Sequence, residues 1–245
     1  MLDLHCHILP GIDDGAPDVG AALDIARAMV ALGYEQIAPS PHTGGGVGGD
    51  VSTDLNETTR QMLTRALAEA SIPLTLVANA EHCVGPILFD RLPKGATCIG
   101  GESRWLLVEL PWERIPQPEQ LLFRLQTKGY RLLLAHPERY SYLDVDTVER
   151  LVERGVRMQV ELGSFVDVYG DRARGRAEKM VEKGLVHVLA SDIHRPKQAL
   201  EWLGPALAAV RDTYGEGALR RATHENPNAI LKDVTATALE PMTTS

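Results

Sequence analysis

His5 and His7 flank a single residue, Cys6, at the end of the run Leu2-Asp3-Leu4. Successive side chains of an extended strand project to opposite faces, so the two imidazoles share one face and the thiol takes the other. Two imidazoles at that spacing can grip one transition-metal ion. Residues of the same chemistry recur along the chain: Asp13 and Asp14, His42, Glu81, Glu109, His136, Glu161, then Asp192 and His194. Imidazole with carboxylate and no thiolate suits Mn, Fe, Zn or Mg rather than a cysteine-held structural zinc. Five histidines (His5, His7, His42, His136, His194) and four carboxylates (Asp14, Glu81, Glu109, Asp192) exceed what one ion can use, so two or three ions are implied. Three divalent ions against four carboxylates leave a net positive site, suited to a phosphate-type anion.

The elements that position these residues are legible as an alternation. Apolar strand-like runs cover residues 2–6, 36–40, 74–80, 105–110, 131–135, 156–161 and 186–190. Helical periodicity fits residues 21–32, 119–128, 145–153, 174–183 and 198–214, and Ser52 can cap a helix running through Met62, Leu63, Ala66 and Leu67. Gly33, Gly129, Gly155 and Gly184 each stop a helix just before a strand. Helix, glycine, apolar strand is the phrase of βα units and a parallel sheet. Every strand delivers His, Asp or Glu at or just beyond its C-terminal end. In a parallel barrel those ends converge on one mouth, where such folds place their active sites. The spacing therefore predicts an α/β fold, one domain over residues 1–245, and a closed or nearly closed barrel, with residues 235–245 as a frayed tail.

Composition narrows the partners. The formal net charge of −8 argues against nucleic acid. No apolar run approaches the roughly 20 residues of a membrane span, and no cleavable leader precedes residue 2, so a cytoplasmic location without membrane insertion is expected. Three cysteines without a CxxC pair fit reduced thiols in that compartment.

The chain resembles the polymerase and histidinol phosphatase (PHP) superfamily, and within it the manganese-dependent protein-tyrosine phosphatases linked to bacterial capsule and exopolysaccharide synthesis. The matching motifs are LDLHCHILPGIDDG at the start, PSPHT around His42, NAEH around Glu81, LLVEL around Glu109, AHPERY from His136 and ASDIH at Asp192. They cover nearly the whole chain in order. The resemblance implies a distorted barrel of seven βα units with three metal ions, Mn foremost and Fe, Co, Mg or Zn as alternatives. It implies one ion on His5, His7, Glu81 and Asp192, a second on Glu81, Glu109 and His136, and a third on Asp14, His42 and His194. It places Arg139 on the substrate phosphate. It further implies hydrolysis by a metal-bridged hydroxide, with a phosphotyrosine protein, a cognate bacterial tyrosine kinase, as substrate. Asp14 and His42 are candidate proton donors only at the expense of metal binding. The chain departs from the family pattern after His42, where Thr43 and the glycine-rich stretch 44–49 replace basic residues, and at Glu161, where an uncharged polar residue is usual.

Other readings compete. Within the superfamily, a small metabolite resembling histidinol phosphate is an alternative substrate, and a metal-dependent nuclease or phosphodiesterase a more distant one. Cys98 and Arg104 fit the Cys-x5-Arg spacing of thiolate phosphatases. Glu102 would put an anion into that cradle and a strand follows instead of a helix, so a plain loop is preferred. Asp14 is preferred to Asp13 as ligand, and Asp3 is read as a support beneath the site. Glu161 is either a ligand or an acceptor behind one. His82 and His187 read as structural, and His224 as a surface residue. Arg195 either reaches phosphate or lies on the surface.

Overall fold

The computed structural model describes residues 1–46, 48–115 and 117–243. Val47 of the glycine-rich stretch, Pro116 and the final two residues of the tail fall outside the described residues. In chain order the first half contains β1 (Leu2–Cys6), α1 (Val19–Ala31), β2 (Gln36–Pro39), β3 (His42–Thr43), α2 (Thr53–Glu69), β4 (Thr75–Leu76), β5 (Glu81–Cys83) and α3 (Pro86–Arg91). The second half contains β6 (Trp105–Glu109), α4 (Pro118–Thr127), β7 (Arg131–Ala135), α5 (Val145–Glu153), β8 (Arg157–Glu161), α6 (Asp171–Glu182) and β9 (Val188–Ala190), followed by a helical C-terminal stretch. Asp18, Ser52 and Asp144 cap α1, α2 and α5, each accepting a backbone N–H of the first turn.

All strand pairings are parallel. The strands form a three-stranded sheet, β1-β2-β4, and a six-stranded sheet, β3-β5-β6-β7-β8-β9. Seven strands were expected. The second breaks at Pro39-Ser40-Pro41, where proline cannot continue a ladder. The third breaks at Ala78-Asn79-Ala80. There the Asn79 amide turns to the Leu4 carbonyl (2.9 Å) and Ser40 Oγ (3.1 Å), while its own carbonyl accepts from Asn56 Nδ2 (2.8 Å). Both strands thus resume, as β3 and β5, in the second sheet. The last strand also meets the first. Asp192 N–H donates to the His5 carbonyl (2.8 Å), His7 N–H donates to the Ile193 carbonyl (2.9 Å), and Cys6 and Ile193 form an isolated parallel bridge.

Side-chain alternation sorts the strands into two faces. Leu106 and Val108 of β6 and Leu132 and Leu134 of β7 belong to the large core that also holds apolar residues of α1, α2, α4, α5 and α6. Trp105 and Leu107, with Leu133 and Ala135, join a smaller cluster with Leu2, Leu4, Val188, Ile230 and Leu239. Period two then puts Glu109 on the Trp105–Leu107 face. In β8, Gln159 and Glu161 are buried on the face opposite Met158 and Val160. The inner face is therefore largely apolar at its base and polar at the strand ends.

The helix expected over 198–214 is interrupted. Residues 199–203 form a π turn before the α-helix Gly204–Tyr214, and a second π turn spans 221–225. The expectation of a frayed tail is corrected as far as residue 243. Leu239 and Met242 are buried, Met242 N–H donates to the Val186 carbonyl (2.8 Å), and Asn226 Nδ2 donates to the Glu240 carbonyl (2.7 Å). No helix among the described residues is long and apolar enough to cross a membrane.

His187 and His82 are buried and belong to none of the candidate metal-binding groups, in line with the structural reading. Burial, with Arg157 nearby, pushes His187 down to about 3, and burial pushes His82 down to about 4. His187 Nδ1 accepts the Met158 N–H (3.4 Å), and His82 Nε2 donates to the Thr97 carbonyl (2.9 Å). Both folded values lie below the unfolded value of about 6.5, so the unfolded chain binds more protons in between. Their stabilisation is complete above about pH 6.5 and is lost as pH falls toward 4, by up to about 1.4 kcal/mol per histidine and pH unit. The urea midpoint is expected to fall between pH 7 and pH 5. His187→Gln should lower the midpoint at pH 7 yet flatten that fall, and an unchanged slope would place the acid sensitivity elsewhere.

Candidate active site

The nine expected ligands converge at the C-terminal ends of the strands. His5 Nε2 and His7 Nε2 lie 3.1 Å apart. Asp192 Oδ1 is 3.3 Å from each, and Glu81 Oε2 is 3.3 Å from the first and 3.6 Å from the second. An ion held at 2.0–2.2 Å by tetrahedral donors sets them about 3.4 Å apart, so the His5, His7 and Glu81 atoms are spaced for one ion, with Asp192 Oδ1 facing both imidazoles. Glu81 turns its other oxygen to His136 Nε2 (2.9 Å). His42 Nδ1 faces Glu81 Oε2 (3.0 Å) and Glu109 Oε1 (3.3 Å). Asp14 Oδ1 lies 3.4 Å from both His42 Nε2 and His194 Nε2, at the exposed rim. Four overlapping groups emerge: His5, His7 and Glu81; His42, Glu81 and Glu109; His7, Asp14, His42 and His194; and His5, His136 and Glu161. Glu109 therefore clusters with His42 and Glu81 rather than with His136, and His7 shares the rim group.

The environment supports cation binding. His42 Nδ1, Glu81 Oε2 and Glu109 Oε1 are buried and make no hydrogen bond. Burial disfavours charge on His5, His7 and His42, yet neighbouring carboxylates outweigh it and pull all three imidazoles upward. The same pairing holds Glu81 and Asp192 below the usual carboxylate range against their own desolvation. Such a cage calls for positive charge at its centre.

Three histidines are oriented from behind. His5 Nδ1–H donates to Gln159 Oε1 (3.0 Å), His7 Nδ1–H to Asp13 Oδ2 (2.9 Å), and His194 Nδ1–H to the Asp192 carbonyl (2.9 Å). Each bond assigns the tautomer that leaves Nε2 facing the cage. Asp13 and Asp14 thus divide their work: Asp13 braces His7 and Asp14 faces the rim. Asp3 lies beneath, accepting from the N–H groups of His5 and Ser191 (3.2 Å each) and from Ser191 Oγ. Glu161 is fully buried and accepts from Gln159 Nε2 (3.1 Å). Burial, then repulsion from Asp192, pushes its carboxyl well up, and the same carboxylate lies with His5 and His136 in one of the four groups, so both roles considered for it stand. The backbone is strained where the site needs it: His136 and Asp192 have φ of 38° and 51°, in the left-handed region that non-glycine residues seldom adopt.

Arg139 stands over the cage. Its Nη1 donates to Asp192 Oδ2 (2.9 Å), and its guanidinium lies between the Tyr169 ring (4.1 Å) and the Trp112 ring (4.9 Å). Trp112 in turn stacks on His136 with ring centroids 5.3 Å apart. Arg195 departs from the substrate-binding role considered for it. Its Nη1 donates to the carbonyls of Asp14, Gly15 and His194, clamping the two rim loops together. The glycine-rich stretch is packed onto the site. A Cβ on Gly46 would lie 2.6 Å from Glu109 Oε1, and one on Gly48 would fall onto the His42 ring. Cys98 and Arg104 do not form an anion cradle. Arg104 Nε pairs with Asp233 (3.2 Å), and burial pushes the Cys98 thiol up to about 11.

Sequence reasoning missed Gln159, Trp112 and Tyr169. Gln159 had a usable signal, since it shares a strand face with Glu161 two residues later. The two aromatic residues lie in loops whose course no periodicity reveals.

Comparisons with known proteins agree with this geometry. The sequence profile described as "Capsular polysaccharide synthesis, CpsB/CapC" matches residues 1–232. The tyrosine-protein phosphatase YwqE of Bacillus subtilis (strain 168) is 32% identical over 238 residues, covering 96% of this chain and 93% of that protein. The putative tyrosine-protein phosphatase CapC of Staphylococcus aureus is 29% identical over 79% of this chain and 77% of its own length. Among solved structures, a chain from the crystal structures of YwqE from Bacillus subtilis and CpsB from Streptococcus pneumoniae, described as unique metal-dependent tyrosine phosphatases, superposes with a TM-score of 0.87 at 30% identity, covering 100% of this chain and 99% of that one. A histidinol phosphate phosphatase from Lactococcus lactis shares the fold at a TM-score of 0.54 and 14% identity, over 86% of this chain and 92% of its own. A strand-end cage of histidines and carboxylates, matched in sequence over nearly the full chain, places this protein in the CpsB/CapC capsular polysaccharide synthesis family.

Proposed function

We propose that this chain is a metal-dependent tyrosine-protein phosphatase that hydrolyses phosphotyrosine on a protein, foremost a tyrosine kinase of the capsule or exopolysaccharide machinery. The observation that carries the reading is the cluster of His5, His7 and Glu81 donor atoms spaced for one metal ion, with Asp192 facing both imidazoles and Arg139 beside it. We read the two sheets as one distorted seven-unit barrel, because β2 and β4 resume as β3 and β5 and β9 returns to β1. We assign three ions, Mn foremost: one on His5, His7, Glu81 and Asp192, one on Glu81, Glu109 and His136 with His42 alongside, and one on Asp14, His42 and His194. Buried unpaired thiols at Cys6, Cys83 and Cys98 suit a cytoplasmic enzyme.

When bound, divalent ions supply charge neutralisation at phosphorus and acidify a water nucleophile. The chain's own residues do the rest. Gln159, Asp13 and the Asp192 carbonyl hold three imidazoles in register, so the donors need no rearrangement during turnover. Arg139, fixed by Asp192 and two ring faces, offers guanidinium N–H groups to phosphoryl oxygens as charge builds on them. A tyrosine leaving group, with a pKa of about 10, needs little protonation. Asp14 stands half-exposed at the rim, but Asp14 and His42 donate protons only by leaving their places opposite each other.

With Mn supplied, the protein is expected to hydrolyse p-nitrophenyl phosphate, to lose activity to a chelator and to regain it with the metal. Inactivity with Mn, Fe, Co, Mg and Zn alike would sink the proposal. Asp192→Asn should lose both metal content, read by elemental analysis, and rate. Arg139→Lys keeps the charge but not the planar fork between two rings, and kcat/KM should drop by about a hundredfold or more with metal content retained. Cys98→Ser should retain full activity, since loss would revive the thiolate chemistry. A phosphotyrosine peptide should exceed histidinol phosphate in kcat/KM, and the reverse order would move the substrate to a small metabolite.

A further inference from the structure

Beside the cage lies a cavity of about 550 Å³ whose inner end is Glu109. Residues 44–46 of the glycine-rich loop form one wall, Ile87 at the start of α3 the lip, and Trp112 and Glu113 after β6 the other wall. The volume lies in the range that holds small ligands. Its polar and charged chemistry is one-sided. Glu109 and Glu113 are its charged residues, and neither Lys nor Arg lines it, so a second anionic group is disfavoured there. Large apolar side chains instead stand open to solvent at its rim: Ile87 is 42% exposed and Trp112 39% exposed. The glycines keep the space open, because a Cβ at Gly45 would lie 2.7 Å from Ile87 Cδ1.

Trp112 divides this cavity from a second one. On its far side a smaller pocket of about 250 Å³ is lined by three arginines, Arg139, Arg172 and Arg176, with Tyr169 and one carboxylate, Glu138. The same indole stacks on His136 and carries the Arg139 guanidinium on its ring. An apolar cavity opening at Glu109 and an arginine held at Asp192 thus bracket one cage from two sides.

We infer that the cavity between the glycine-rich loop and Trp112 is the subsite for the aromatic ring of the substrate, with Trp112 and Ile87 as its specificity-determining residues. The inference rests on the phosphatase reading above and deepens it. A phosphoryl group at the cage leaves its ester substituent pointing into this cavity, where a planar ring packs against the indole and an alkyl chain of serine or threonine length leaves most of the space to water. The departure at residues 43–49 from the basic loop expected of the family then has a consequence: the loop contributes room rather than charge.

The test compares phenylphosphonate and methylphosphonate as inhibitors of the Mn-loaded enzyme, since they share the phosphonate and differ in the ring. The wild type should bind the phenyl compound at least about tenfold more tightly. Ile87→Ser should bring the ratio toward one without moving the methylphosphonate constant. Trp112→Ala also strips a ring face from Arg139, so it should weaken both inhibitors but the phenyl compound more, and Trp112→Phe should keep the preference. Ile87→Ser guards against damage through His136, which Ile87 does not touch in any ring or hydrogen-bond contact. A wild-type ratio near one, an unchanged ratio in both variants, or parallel weakening of both inhibitors by Ile87→Ser would overturn the subsite while leaving the phosphatase intact. Absence of any phosphomonoesterase activity would instead overturn the function proposed above, and the subsite with it.

Discussion

Buried carboxylates confronting buried imidazoles are the constraint on which the structure turns. Glu81 and Asp192 are removed from water, and desolvation of an anion is costly unless positive charge lies close. His5 and His7 face both at 3.3–3.6 Å, and His42 and His136 close on Glu81 from the other side. These donors repel or compete with one another unless a cation or a shared proton lies between them. Their convergence must therefore be imposed by the surrounding fold.

The fold imposes it by making the site a property of strand ends. Parallel pairing brings every C-terminus to one side, so residues far apart in sequence meet without long loops. Adjacent strands are in register where it matters, with His42 opposite Glu81 and Glu109 opposite Cys83. Where a strand alone would aim the side chain wrongly, the backbone bends. His136 and Asp192 sit at positive φ, a conformation costing on the order of 1–3 kcal/mol per residue. Asp192 is held there by its N–H bond to the His5 carbonyl. Beneath it, Asp3 ties the first strand to Ser191. The seam between the first and last strands is thus also the floor of the metal cage.

Much of this was legible in the sequence because the determinants are local and periodic. Period-two alternation placed His5 and His7 on one face, and helix-glycine-strand phrases located β6 through β9 to within two residues at each end. Candidate ligand positions followed from strand ends, and the structure sets Asp13 behind His7 and Asp14 at the rim opposite His42 and His194. What escaped depends on tertiary contact. The breaks at Pro39–Pro41 and at Asn79 were hidden by apolar composition that reads as a continuous strand. The tail looked unstructured by composition, yet Met242 finds the Val186 carbonyl and a buried site. The place of Arg195 after His194 left phosphate contact and a surface role both open, and only the path of the 14–15 loop shows that carbonyls claim it. Trp112 and Tyr169 carry no sequence signal for the guanidinium they sandwich.

A protein of net charge −8 that handles a phosphorylated substrate must solve an electrostatic problem locally. The cage does so by gathering imidazoles and carboxylates fit to hold metal ions, and by placing beside them one arginine, Arg139, whose orientation is fixed by an anion and two aromatic faces rather than by a flexible chain. Arg195 spends its charge on carbonyls and so stabilises the rim. Selectivity then need not come from a basic docking surface. Gly46 and Gly48 contribute backbone alone beside Glu109 and His42, and the space at Gly44 to Gly46 is walled by Trp112 and Ile87. Charge holds the phosphoryl group common to all phosphomonoesters, and shape beside it distinguishes an aryl ester from an alkyl one.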